Sequence, residues 1–175
     1  MAIKHSKRPV SVARMTALAH RLLEASTLCA IATVSADGSA HINTAYFAWS
    51  PKLDLVWLSD PRSKHSRNVR AGDSAAVVVY DSNQSWGKPD RGIQLFGSAH
   101  ESGGAIAADA QTLYRDRFPD YHQEDLDTYR FYVFHPHRLK LFDERELGAG
   151  RFVIARVDDQ GRLFWEMTEI YDAGS

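Results

Sequence analysis

The sequence predicts a single α+β domain over residues 1–175: an antiparallel β-barrel of six to eight strands with helices on its periphery. Three observations lead there. Short runs rich in β-branched and aromatic residues recur between turn formers, the pattern of strands joined as hairpins. Three segments with helical spacing are inserted among these runs instead of alternating with them one for one, an order that belongs to α+β proteins. An antiparallel sheet of this size also loses its exposed edges by closing on itself. With 175 residues and 44% hydrophobic content, the chain supports one buried core and is too short for two ordinary domains joined by a linker.

Residues 1–9 are polar and end at Pro9, the composition of a mobile arm. From Ser11 to Ser26 the apolar residues Met15, Leu18, Ala19, Leu22 and Leu23 share one side of a helix, while Arg14, Arg21 and Glu24 take the other. Strands follow at about 28–35 and 39–49 around Asp37-Gly38, a two-residue hairpin signal, and a turn at Ser50-Pro51-Lys52 leads to a third strand through about residue 59. Asp60-Pro61 then caps a short basic helix that stops at Gly72. The run from Ala75 to Tyr80 is apolar at every position, as in a strand covered on both faces. A polar loop, SNQSWGKPDRG, precedes a strand through IQLFGSAHE, and a further helix spans Ala105 to Phe118. Strands from Tyr129 to Phe142 and from Phe152 to Val157 follow, with Gly161 turning into a last strand, RLFWEM. Both AAVVVY and RFYVFH are apolar on two faces. The barrel interior takes one face of each and three helices are too few to cover the other, so an obligate homodimer is predicted.

The 21 basic and 22 acidic residues leave a formal charge of −1, so no global field draws the chain to nucleic acid or to an anionic membrane. The start, MAIKHSKRPVSV, leads into no apolar signal core, and no stretch approaches the ~20 apolar residues of a membrane span. The chain reads as a cytoplasmic protein. One cysteine, Cys29, sits in an apolar run and suits packing; alone it supports neither a disulfide nor a two-thiolate zinc site.

Against that balanced background, Arg62, Lys64, His65, Arg67 and Arg70 fall close together. The segment starts at a strand end and opens a helix, so backbone N–H groups, the helix dipole and cationic side chains point the same way, which suits a phosphate monoester. A solvated basic helix face is the other reading these residues allow.

The order LCAIATVSADGSAHINTAYFAWS, LDLVWLSDPRSKHSRNVRAGDSAAVVVYD, GIQLFGSAHE and HPHRLKLFD, over roughly residues 18–143, resembles the pyridoxamine 5′-phosphate oxidase-like, FMN-binding split-barrel family. The resemblance implies a split β-barrel, a domain-intimate homodimer with flavin at the subunit interface, and hydride transfer to or from a small substrate, with NAD(P)H as a possible partner. It implies that Arg62, Ser63 and Lys64, with Ser59 at the strand end, hold the FMN phosphate, and that Asn43, Thr44, Ala45, Trp57 and Leu58 lie along the ring, largely through backbone groups. Gln94 falls where the family often presents an amide from the neighbouring subunit; an outward strand residue is its other reading. The C-terminal Arg-Leu-x-Pro tail of true pyridoxamine-phosphate oxidases is missing from RLFWEMTEIYDAGS, which offers Arg162 and Trp165 without the pattern, so vitamin B6 synthesis is not expected. Related split barrels bind deazaflavin or haem, and these are the alternative cofactors.

No residue stands out as an obligatory acid or base, so a non-catalytic flavin, deazaflavin or haem binding protein is the competing class. His135 and His137 could be metal ligands but have no carboxylate or thiolate spaced to complete a site. His41 is read as a hydrogen-bonded strand histidine, with orientation of a substrate as its other reading, and Trp86 and Lys88 lie in a loop that is either a lid or a connection. Phosphate loops of the Gly-x-Gly-x-x-Gly and Gly-x-x-x-x-Gly-Lys types are absent, as is the Gly-x-Ser-x-Gly elbow.

Overall fold

The computed structural model of the protein describes residues 2–122 and 128–172. In chain order the elements are β1 (Ala2–Ser6), α1 (Val12–Glu24), β2 (Leu28–Val34), β3 (Ala40–Trp49), β4 (Leu55–Ser59), α2 (Lys64–Ala71), β5 (Ser74–Tyr80), β6 (Arg91–Glu101), α3 (Gly104–Arg117), β7 (Arg130–Asp143), α4 (Glu144–Leu147), β8 (Arg151–Val157) and β9 (Leu163–Asp172). All pairings are antiparallel. The sheet runs β1-β9-β8-β7-β4-β3-β2-β5-β6, and β6 returns to pair with β7, so β7-β4-β3-β2-β5-β6 close a six-stranded barrel.

Closure is possible because β7 is long and breaks its register once. Its first half, Arg130–Phe134, pairs with β4, and its second half, Arg138–Phe142, pairs with β8, while β6 runs along the other edge. Opposite β6 the register shifts between Phe96 and Gly97, where Gly97 faces Pro136 and Phe96 faces Arg138, leaving His137 as the extra residue of a bulge. Proline fits at a bulge because it has no N–H to give to the ladder. Gly97 fits because a Cβ there would lie 2.0 Å from the His135 carbonyl oxygen and 2.8 Å from Pro136 Cα.

Inside the barrel, Ile31, Phe47, Leu55, Trp57, Val77, Ile93, Leu95 and Leu139 are buried, and α1 closes one side with Met15, Leu18, Ala19, Leu22 and Leu23. The α1 C-terminus is tied by Arg117 of α3, whose Nη2 donates to the carbonyls of Leu23 (3.2 Å) and Ser26 (2.8 Å) and whose guanidinium lies 4.8 Å from the Phe47 ring centroid. Burial is the main reason that this guanidinium is held below its ordinary pKa. A second cluster, Ala48, Val56, Ala110, Tyr114, Phe131 and Val133, forms beneath α3. The outer face of β7 is therefore covered within one chain. β5 differs: Ala75, Val77 and Val79 are buried, but Ala76 and Val78 are only partly covered and Tyr80 is exposed, so one of its faces has no cover in the single chain.

Several boundaries differ from expectation. Residues 2–6 are not an arm; they form β1, paired with β9 from Ala2–Asp172 to Ser6–Thr168, because the unforeseen length of β9 offers a free edge. Met1 lies outside the described residues. Asp37-Gly38 does not form a two-residue hairpin: Gly38 N–H donates to Ser35 O (2.8 Å) and Ser35 N–H to Ser39 O (2.8 Å), a type I turn followed by Gly38 at φ 80°. The β3–β4 turn repeats that design with Leu53 at φ 70°, and the side chain is fully buried. Burial of the leucine offsets the roughly 1–2 kcal/mol that a left-handed residue costs. Helix α2 starts at Ser63, whose hydroxyl accepts from Ser66 N–H, while Asp60 instead makes a local turn by accepting from Arg62 N–H at 2.7 Å. A fourth, one-turn helix, α4, was not foreseen, because it is held by its Asp143 cap rather than by an apolar face.

Replacing Gly97 by alanine should lower unfolding free energy by about 3 kcal/mol or more in urea denaturation, since backbone, not a movable side chain, occupies the space. A change below about 1 kcal/mol would show that the β6–β7 crossing can open without loss.

Candidate functional site

Beyond the pair Phe47–Trp57, β3 and β4 part company: their ladder holds only Phe47–Trp57, Ala48–Val56 and Trp49–Leu55. From there β3 continues with β2 as its partner, while Leu58 and Ser59 stay on β7. Past Ser59 the chain turns into α2, whose His65 stacks on His41 of β3. Strand alternation puts His41, Asn43 and Ala45 on the half-buried face of β3, on the side of α2, and Ile42, Thr44 and Tyr46 on the exposed face.

At the end of β4 the hydroxyls of Ser59 and Ser63 converge on one imidazole. Ser59 Oγ lies 2.5 Å from His65 Nε2, Ser63 Oγ lies 3.2 Å from the same nitrogen, and the two hydroxyls are 3.4 Å apart. Ser63 Oγ also donates to Ser66 Oγ at 2.8 Å and accepts from Ser66 N–H at 3.3 Å. The stretch is fixed from below by Asn68, a buried residue whose Nδ2 donates to Thr33 Oγ1 (3.0 Å) and Ser35 Oγ (3.3 Å) on β2 and its turn. His65 stacks on His41 of β3, ring centroids 6.2 Å apart and planes within 4°. Burial, and then the neighbouring His41, hold the His65 imidazole below its usual pKa, so it is neutral at pH 7 and can both accept and donate.

The expected basic residues do not all point here. Arg62 is exposed and folds back on Asp60, with Nη2–Oδ2 at 2.9 Å. Arg67 donates to the Arg62 carbonyl, and Arg70 is engaged by Glu101 (2.9 Å) and the Pro61 carbonyl (2.5 Å). Lys64 is exposed at the first turn of α2; its charge adds to the hydrogen bonds from Ser39 that hold Asp37 low. The chemistry gathered at the split is therefore two hydroxyls and a neutral imidazole beside a helix start, with the exposed Lys64 on that first turn, a set suited to an oxyanion.

Of the residues expected along a ring, Asn43 is the most telling: its Oδ1 is buried with no hydrogen-bond partner among the described residues. A buried acceptor without a donor is costly, by about 1–3 kcal/mol. Ala45 lies one alternation further on the same face, and Leu58 presents the β4 edge that β3 leaves. The Trp57 side chain is fully buried in the core, stacked on Tyr132 at 5.8 Å, so only its backbone is near the split. Thr44 faces the other way, in a lateral row Thr44–Ala30–Val78–Gln94 across β3, β2, β5 and β6. Gln94 is thus three strands, roughly 14 Å, from Thr44 and does not meet the α2 cluster within one chain.

Sequence reasoning included His65 only as one more cation, and missed its role as partner of Ser59. The spacing Ser63-x-x-Ser66 was the available sign that the helix starts after Pro61. His135 is committed to Asp54, with Nδ1–Oδ1 at 2.7 Å, and stacks on His100 at 5.1 Å; His137 Nε2 lies 3.4 Å from Ser98 Oγ. Among the described residues, no three His, Cys, Asp or Glu side chains are grouped to hold a metal ion. Cys29 is buried and its thiol is pushed up to about 12 by that burial, which leaves it inert at neutral pH. Trp86 is fully exposed on the β5–β6 loop. Among the described residues no helix is long and apolar enough to cross a membrane.

No curated protein matches the sequence. Three solved structures illustrate the likeness of fold. A haem binding protein from Mycobacterium smegmatis is 18% identical with a TM-score of 0.64 over 86% of this chain, which spans only 60% of that protein's length. A Clostridium acetobutylicum protein related to general stress protein 26 of B. subtilis, of the pyridoxinephosphate oxidase family, is 13% identical, with a TM-score of 0.64 over 84% of this chain and 97% of its own. An F420 reductase is 21% identical, with a TM-score of 0.54 over 69% of this chain and 94% of its own. The family model described as pyridoxamine 5′-phosphate oxidase matches residues 15–143, from the core face of α1 to the end of β7. That span holds the whole barrel and the α2 cluster, and it makes this chain a split-barrel member of the pyridoxamine 5′-phosphate oxidase family.

Proposed function

We propose that the protein is a cytoplasmic flavin-dependent oxidoreductase that holds FMN at the split between β3 and β4. The observation that carries the reading is the pairing of an oxyanion cradle at Ser59, Ser63 and His65 with an unanswered buried acceptor, Asn43 Oδ1, on the strand beside it. These residues fit the group: the cradle matches a phosphate monoester, and a ring N–H would answer the Asn43 oxygen. When bound, the flavin would supply hydride exchange between a small substrate or NAD(P)H and an acceptor. The chain's own part is positional. Ser59 and Ser63 orient the anion, Lys64 balances its charge, and His65 can take up a proton as that charge arrives. Arg62 can join them only by leaving Asp60, an exchange between surface partners that costs little.

The reading includes a homodimer. Leu28, Val34, Ile42, Tyr46, Tyr80 and Phe96 are large apolar side chains exposed on neighbouring strands β2, β3, β5 and β6, and register joins them through Ala30, Ala32 and Ala76 into one patch. A patch of this kind marks an interaction surface. Gln94 lies in it, so a second copy facing the first is the route by which Gln94 could approach a partner's ring.

A haem or deazaflavin protein is the second reading. His41 offers an imidazole at the cradle, the kind of ligand a haem iron uses, and similar folds include a haem binding protein and an F420 reductase.

Three results test the proposal. Purified protein mixed with FMN and freed of excess should keep the flavin bands in its visible spectrum, and Ser59→Ala with Lys64→Ala should weaken retention at least tenfold while far-ultraviolet circular dichroism is unchanged; a Soret band instead would transfer the site to haem. Light scattering should give a dimer that Ile42→Glu with Phe96→Glu converts to monomer, and a monomeric wild type would remove the interface. Stability should fall as pH drops below about 6.5, because the unfolded chain takes up protons at the ordinary histidine value before the depressed His65 does. His65→Gln should make that fall shallower, leaving the part contributed by His100, which is held low by burial and then by His135. Equal slopes in both proteins would place the depressed histidine elsewhere.

A further inference from the structure

Three arginines stand outside the cofactor reading. A cavity of about 320 Å³ lies where the β1–α1 connection meets α4, β8 and β9, with Arg8, Arg14 and Arg151 in its wall and the buried Val153 and Thr168 also lining it. Many guanidinium groups elsewhere are matched to carboxylates, as in Arg21–Glu146, Arg70–Glu101, Arg138–Glu166 and Arg162–Asp158, while Arg67 takes a backbone carbonyl and Arg156 an aromatic ring. Among the described residues, no carboxylate pairs with Arg8, Arg14 or Arg151. The Arg14 guanidinium donates to the Glu146 backbone carbonyl, and the Glu146 carboxylate is taken by Arg21 at 3.1 Å. Three like charges around one cavity repel one another, and an anion between them removes that repulsion.

The surroundings favour the same charge. The first turn of α1 has no acidic residue, and its cap Ser11, whose hydroxyl accepts from Arg14 N–H, also lines the cavity. All three arginines lie outside residues 15–143, so the cavity is made by what this chain adds to its family's barrel: β1 at one end and β8–β9 at the other. It shares no residue with the Ser59–His65 cradle. Its volume equals roughly ten waters at ~30 Å³ each, more than a bare oxyanion needs, and Val10, Leu147 and Val153 give the remainder an apolar wall.

We propose that this cavity is a second anion site that binds a phosphate group, either free or as the end of a small phosphomonoester, independently of the cofactor. Planar guanidinium forks match phosphate oxygens in pairs, and arginine stays charged at every working pH, so the site keeps its charge where His65 does not.

The test is titration calorimetry with inorganic phosphate at constant ionic strength. Wild type should take up phosphate at two sites, the Arg62→Ala/Lys64→Ala variant should keep one of them, and adding Arg14→Ala/Arg151→Ala to that variant should weaken the remaining binding at least tenfold. Because Arg14 also holds the Glu146 carbonyl, Arg8→Gln/Arg151→Gln serves as a second variant that keeps this bond, and it too should weaken binding severalfold. Glycerol 3-phosphate separates the sources: tighter binding than phosphate assigns the ester, equal or weaker binding assigns the free ion. The proposal is overturned if phosphate acts no better than chloride on wild type, if the arginine variants bind as wild type does, or if binding vanishes in Arg62→Ala/Lys64→Ala and survives in Arg14→Ala/Arg151→Ala.

Discussion

Strand β7 has to satisfy three neighbouring strands with two edges, and the bulge at Pro136–His137 is where it changes partner. β4 pairing ends at Phe134 and β8 pairing begins at Arg138, so the residues between belong to neither ladder. A proline, which cannot donate, and a glycine, which alone permits the close crossing, sit opposite each other there. Everything else is arranged around that exchange. The half of β7 beside β4 completes the barrel, and the half beside β8 starts the extension that carries β9 and β1.

The barrel also needs its looser seam. With only three residue pairs joining β3 to β4, backbone and side-chain groups on both strands are free to face a ligand, yet neither strand drifts, since β2 holds one and β7 the other. The proposed cofactor site thus sits where the ladder is incomplete and the scaffold behind it is complete. Asn68 makes the link rigid by tying α2 to β2 through buried hydroxyl and amide groups, so the cradle is held from the side away from solvent.

Periodicity located most of this. Strands from β2 to β7 and the three longer helices have sequence patterns strong enough to be read to within a few residues, because burial on one face imposes alternation or helical spacing. β1 was not legible: AIKHS has no alternation of its own and becomes a strand only through the edge of β9. The covering of RFYVFH by α3 was equally hidden, since Ala110, Tyr114 and Phe118 meet it across the fold. At the candidate site, composition drew notice to the basic segment after Ser59, but the wiring of its side chains was not legible. Whether an arginine turns toward a phosphate or toward Asp60 depends on local turn geometry, and the Ser59–His65 contact is made across a turn that sequence spacing does not specify.

The five residues of β1 are also the last strand on that side of the sheet, and their position has a consequence for solubility. An edge strand exposes unpaired N–H and C=O groups that can recruit another chain. Here the edge is short and carries Lys4, His5 and Ser6, and the part of β9 that it covers, Thr168–Asp172, includes Ile170 and Tyr171. Were β1 to detach, the uncovered edge of β9 would lengthen to the whole strand, Leu163–Asp172, the kind of border on which strand-to-strand aggregation begins.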